Sequence, residues 1–184
     1  MVDTADLKSA DLSRAGSSPA PGTTFNNMIE FAPTKDIKKR FSKINFKTLS
    51  VVFTLIFDGI SNHTRTTKYT IGLRKCTGES CFYRFKPGKT VWINISETVK
   101  KENEFLKLLV HEFRHFIQDK LFKLELTRNN YDESTLKSYK ESPVEIDANY
   151  FVFTFSPIVI RMYNKFNKTK DNFKIIGKYK GKKI

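Results

Sequence analysis

Two of the three histidines in the chain lie four residues apart in the segment LLVHEFRHFIQ, Leu108 to Gln118, with a glutamate directly after the first. On an α-helix, residues i and i+4 share one face. The imidazoles of His111 and His115 can therefore both reach one metal ion, at about 2.0 to 2.1 Å in the case of zinc. Glu112 sits beside them, close enough to take a proton from a metal-activated water without being a ligand itself. The competing explanation is plain: two histidines satisfied by hydrogen bonds, with Glu112 a solvated helix residue. A zinc ion that does chemistry needs a third protein ligand and one open position. No histidine follows His115, and His63, in the turn after an expected strand, reads as a surface residue, which leaves a carboxylate. Two imidazoles and a carboxylate suit zinc best, although iron, manganese or cobalt fits the same donors.

Such a site needs a rigid helix. Phe105, Leu108, Leu109, Phe113, Phe116, Ile117 and Leu121 recur at helical spacing, and Ser96 is the predicted N-cap. Upstream, DIKKRFSKI predicts a short helix with Asp36 at its positive end. LSVVFTLIF, residues 49–57, predicts a central strand because it is β-branched and apolar, and DGISN predicts the turn that ends it. TKYTIGLRK and CFYRF predict two further strands. TVWINIS, residues 90–96, alternates Val91, Ile93 and Ile95 against Trp92 and Asn94, the period of a half-buried strand. Downstream, Ser142-Pro143-Val144-Glu145 combines an N-cap, a proline at the first helical position and a Ser-x-x-Glu capping box. That helix is expected to run through Asn149 and Phe153 and to kink or end at Pro157.

HEFRH resembles the HExxH motif of zinc metallopeptidases, the zincins, in every required position. Arg114 departs from the longer zincin pattern, which usually has an uncharged residue there. ESPVEIDANYF looks like the second helix of the glutamate-type zincins, or gluzincins, which supplies the third ligand. The resemblance covers roughly Thr90 to Phe153. It implies an α+β fold: a small zincin-like domain with a 3–4-stranded sheet, an active-site helix and a ligand-bearing helix. It implies Zn2+ held by His111, His115 and Glu145, with Glu141 and Asp147 as substitutes for Glu145, and Glu112 as general base in the hydrolysis of a peptide or protein substrate. The capping box alone also accounts for Glu145. Asn149 occupies the place from which an acidic residue often supports a histidine ligand, and its amide oxygen can accept from an imidazole N–H. Tyr139, Tyr150 and Arg114 are all available as oxyanion donors. Arg114 is also placed to pair with a spare carboxylate and fasten the two helices together. TVWINIS matches the edge strand along which zincins lay an extended peptide.

At 184 residues, with 17 Phe and 7 Tyr, the chain can bury one real core and is too short for two comfortable ones. We expect a disordered arm over 1–27, a metallopeptidase domain over 28–160 and a fraying basic tail over 161–184. The arm also resembles a translated tRNA gene: Gly16-Ser17-Ser18-Pro19 can be encoded by a T-loop and Pro21-Gly22-Thr23 by an acceptor end. Met28 is then the expected start, and the gene is expected beside a phage or mobile element. The formal charge of +14 favours nucleic acid, anionic lipid or an acidic partner and says nothing of fold or reaction. It supports an alternative reading from another class, a non-catalytic nucleic-acid-associated protein with a structural or degenerate metal site, and it allows weak contact of the basic tail with nucleic acid or an anionic surface. Cys76 and Cys81 fit no common zinc knuckle or redox motif and read as thiols flanking a turn. With no signal peptide and no run of apolar residues long enough to span a bilayer, the expectation is a cytoplasmic monomer.

Overall fold

A computed structural model describes residues 27–61, 67–84, 90–122, 142–167, 178–179 and 182–183. Strand β1 (Asn27–Pro33) is followed by helices α1 (Lys35–Arg40) and α2 (Phe46–Ile60), then strands β2 (Thr67–Cys76), β3 (Cys81–Arg84) and β4 (Thr90–Ser96). Helices α3 (Glu102–Lys120) and α4 (Pro143–Phe166) complete the α+β domain. The sheet order is β1-β2-β4-β3, with β1, β2 and β4 parallel and β3 antiparallel to β4. Cys76 and Cys81 flank the turn between β2 and β3. Among the described residues, no helix is long and apolar enough to cross a membrane.

One face of the sheet carries the core. Ile29, Phe31, Ile71, Leu73, Val91, Ile93 and Ile95 are all buried, and α2 and α3 lie over them. The aromatic rings join strand to helix: Phe31 meets Phe53 at 5.1 Å, Phe53 meets Phe113 at 4.7 Å, and Phe116 packs against Phe57 and Tyr69 at 5.4 and 5.2 Å. On the other face the Trp92 indole covers Gly72, and the Arg74 guanidinium lies 5.2 Å from the Trp92 ring while its Nε donates to Asn94 Oδ1.

The expected central strand over 49–57 is instead part of α2. Leu49, Val52, Phe53, Ile56 and Phe57 are buried at i, i+3, i+4, i+7 and i+8, a helical stripe, and the Asn45 side chain caps the helix by accepting from Lys47 N and Thr48 N. Burial on this stripe outweighs the strand preference of Val, Thr and Ile. In the same helix, Thr54 Oγ1 and Ser50 Oγ accept from Ile29 N and Phe31 N at 2.9 Å each, so α2 covers the free edge of β1. β1 has no counterpart among the expected strands, and the first expected strand is this helix.

Four other expectations change. Ser96 ends β4 rather than capping α3, its Oγ bonding to Thr98, and the helix begins after Lys101. TVWINIS is not an edge: β4 pairs with β2 on one side and β3 on the other. The sheet edge on that side is β3. α4 does not stop at Pro157, although proline removes one intrahelical donor. It continues to Phe166 because Val159, Ile160 and Tyr163 are buried and the Tyr163 hydroxyl accepts from Asn45 N at 2.8 Å. The residues from 161 to 166 therefore belong to the domain and not to a tail, while Lys178–Tyr179 pairs antiparallel with Lys182–Lys183. The N-terminal arm up to residue 26, His63, Tyr139 and Glu141 lie outside the described residues.

Candidate metal centre

At about 100° per residue, the core positions of α3 (Leu109, Phe113, Phe116 and Ile117) and the positions of His111, His115 and Gln118 fall on opposite sides of the helix. Packing of Phe113 and Phe116 against α2 therefore aims both histidines at α4. There Ser142 caps the helix, its Oγ accepting from Glu145 N at 3.4 Å, as the motif predicts. The Glu145 carboxylate meets the imidazoles: Oε2 lies 3.2 Å from His111 Nε2, and Oε1 lies 3.2 Å from His115 Nε2.

The two Nε2 atoms are 3.1 Å apart, and their rings cross at 84°. Ligand atoms bound about 2.0 Å from one ion at tetrahedral angles are separated by roughly 3.3 Å. The Nε2 pair, and each Nε2 with its own Glu145 oxygen, match that spacing within a few tenths of an ångström. His111, His115 and Glu145 thus form a group that can hold a metal ion. His115 and Glu145 are buried and His111 is half-buried.

Negative charge surrounds the imidazoles. Burial of His115 works against its protonated form, yet the hydrogen bond it donates to Glu145, the charges of Glu112 and Glu145 and the bond to Gln118 together push its pKa above 6.5. The same field that favours a proton there favours a metal cation. Glu112, only 3% exposed, lies next to His111 on α3 as the motif requires.

Around these groups runs a chain of hydrogen bonds. Gln118 Oε1 lies 2.8 Å from His115 Nδ1, and Gln118 Nε2 donates to Val144 O at 3.1 Å and to Asp147 Oδ2 at 2.7 Å. Arg114 donates from Nε to Asp147 Oδ2 at 2.7 Å and from the terminal nitrogen to Oδ1 at 3.2 Å. Burial alone would raise the Asp147 pKa, but the bonds from Arg114 and Gln118, with the nearby charges, hold it below 3.8. Asp147 is consequently engaged by Arg114 and Gln118 and is not part of the ligand group. The expected pairing of Arg114 with a spare carboxylate across the two helices is present.

Arg114, offered above as an oxyanion donor, has its guanidinium tied to Asp147 and placed over the Phe122 and Phe151 rings at 5.3 and 5.1 Å. Tyr150 remains, 59% exposed, one turn beyond Ile146 on α4. Asn149 is exposed, and the imidazole partner is Gln118 instead. Nothing in the sequence singles out Gln118, which opens the polar run Gln118-Asp119-Lys120 at the end of α3. No protein-family model, curated protein or solved structure matches the chain.

Proposed function

We propose that the protein is a zinc-dependent metallopeptidase of gluzincin-like architecture. The observation that supports this best is the convergence of His111 Nε2, His115 Nε2 and the Glu145 carboxylate from two helices, with the two nitrogens 3.1 Å apart and each 3.2 Å from one of the carboxylate oxygens. Three protein donors leave a fourth position for water or substrate, which is the ligand count of a zinc site that does chemistry and not of a closed structural one. Zinc bound there supplies Lewis acidity, lowering the pKa of a water toward 7 and polarising a peptide carbonyl.

The chain's own groups do the rest. His111 and His115 bind as neutral imidazoles through Nε2, and Glu145 contributes the negative charge that keeps the pair selective for a cation. The Glu112 carboxylate accepts the proton of the attacking water and delivers it to the nitrogen of the departing amine. Tyr150 is the described candidate for an oxyanion donor. An extended substrate takes the edge strand β3, because β4 is flanked on both sides.

The test is metal content by mass spectrometry on the purified full chain and its His115→Ala, Glu145→Ala and Glu112→Gln variants. One zinc per chain is expected in the parent. It should be lost in His115→Ala, weakened in Glu145→Ala and kept in Glu112→Gln, with peptide hydrolysis abolished in the last. A parent that takes up no zinc when the ion is supplied at neutral pH removes the reading.

A further inference from the structure

Gln118 is buried, and its amide touches both sides of the metal centre. Its two amide protons have two acceptors, the Val144 carbonyl and the Asp147 carboxylate, which lie on either side of Glu145 near the start of α4. An amide turned the other way would set its oxygen against two acceptors. The orientation is thus fixed by α4, and Oε1 must face His115 Nδ1. An oxygen there requires a proton on Nδ1. The neutral ring then carries its lone pair on Nε2, the atom that meets His111 and Glu145.

We infer that Gln118 is a positioning residue that sets the tautomer of His115 and the separation of the two helices together, so that a single side chain brings two histidines and a glutamate into register for one ion. This rests on the zinc reading above. Asp147 and Arg114 complete the device: the Arg114 guanidinium holds the carboxylate that in turn holds the Gln118 amide. The chain from Arg114 to Asp147 to Gln118 to His115 begins and ends on α3 and passes through α4. It ties the ligand helix at the two positions on either side of Glu145 without using the Glu145 carboxylate. Partners of this kind, one shell out from a metal, change affinity by about 10- to 100-fold when removed.

The test uses the full chain and Gln118→Met, which keeps the length of the side chain and loses every polar atom. Zinc affinity is measured by competition with a chromophoric chelator, and the fold is checked by circular dichroism. A variant with native ellipticity and zinc affinity reduced by about 10- to 100-fold is the expected result. Equal affinity in the two proteins overturns the inference while leaving the zinc site standing. A parent that binds no zinc overturns both. Should Gln118→Met fail to fold, the parent decides by itself: in metal-free protein, at a pH where His115 is neutral, long-range proton–nitrogen correlation spectra should show the proton on Nδ1. A proton on Nε2 would overturn the assignment.

Discussion

Removing the guanidinium of Arg114 should loosen the contact between α3 and α4 by an amount that can be set in advance. Its Nε lies 2.7 Å from Asp147 Oδ2, and the two side chains are 16% and 40% exposed. Unit charges about 4 Å apart attract by roughly 1 kcal/mol in water and 4 kcal/mol at an effective dielectric of about 20. Asp147 is wet enough to lie toward the lower limit, and burying Arg114 has its own desolvation cost. The two-point geometry lifts the pair above the usual surface value of about 0 to 1 kcal/mol. We therefore expect a coupling of about 1 to 2 kcal/mol. The cycle uses Arg114→Met, which keeps an aliphatic stem against Phe151, and Asp147→Asn, which keeps an acceptor for Gln118. All four proteins are unfolded in urea with a chelator present, so that bound metal does not add to stability. For a chain of this size each kcal/mol also moves the thermal midpoint by about 2 to 4 °C.

The pH dependence has a definite sign. The folded-state pKa of Asp147 lies below its ordinary 3.8, so its contribution is present above 3.8 and disappears as pH falls through the lower folded value. A coupling under about 0.5 kcal/mol at neutral pH, or one that grows on acidification, would show that the pair does not fasten the helices.

Two more outcomes follow from the geometry. The folded-state pKa of His115 is raised above 6.5, so in metal-free protein its contribution to stability is complete below 6.5 and fades as pH rises through the higher folded value. The advantage of the parent over Glu145→Gln in chelator-treated thermal melts should thus shrink with rising pH, and an advantage that increases would contradict the pairing. Gly72→Ala would put a Cβ 2.5 Å from Trp92 Cε3, forcing the indole off the strand at a cost of about 1 to 3 kcal/mol. Trp92 is the only tryptophan, so its fluorescence should shift to the red, and unchanged emission with an unchanged melting point would refute the close contact.

What could be read from the sequence was local. His111, Glu112 and His115 were legible because four residues of helix fix their relation, and Ser142 and Glu145 because a capping signature fixes theirs. β2, β3 and β4 were marked by alternation and by turn residues. α2 was misread because Val51, Val52, Thr54 and Ile56 suggest a strand, while the competing helical stripe and the Asn45 cap carry weight only when there is a sheet to bury against. Gln118 was invisible for a related reason. Its meaning depends on Val144 and Asp147, which are brought to it by α4 across residues 123–141. Pro157 does not end the helix: one lost hydrogen bond costs less than the burial of Val159, Ile160 and Tyr163 recovers.

That last point bears on the metal centre. Glu145 lies in the first turn of its helix, where backbone amides lack intrahelical partners and local opening is easiest. A ligand in that place can hold a fixed geometry only if the helix is restrained from outside the turn. The near end is pinned through Val144 and Asp147 to Gln118 and Arg114, and Ala148 and Phe151 are buried one turn further on. The far end is joined by Tyr163 to Asn45, the cap of α2, and α2 in turn sets Phe113 and Phe116, which aim the histidines. The helix that continues past Pro157 thus closes a loop of contacts from ligand to ligand: Glu145, α4, α2, α3, His111 and His115. Damage at Tyr163, about 27 Å along the helix axis from Glu145 at about 1.5 Å per residue, should consequently reach the His111, His115 and Glu145 group through packing alone.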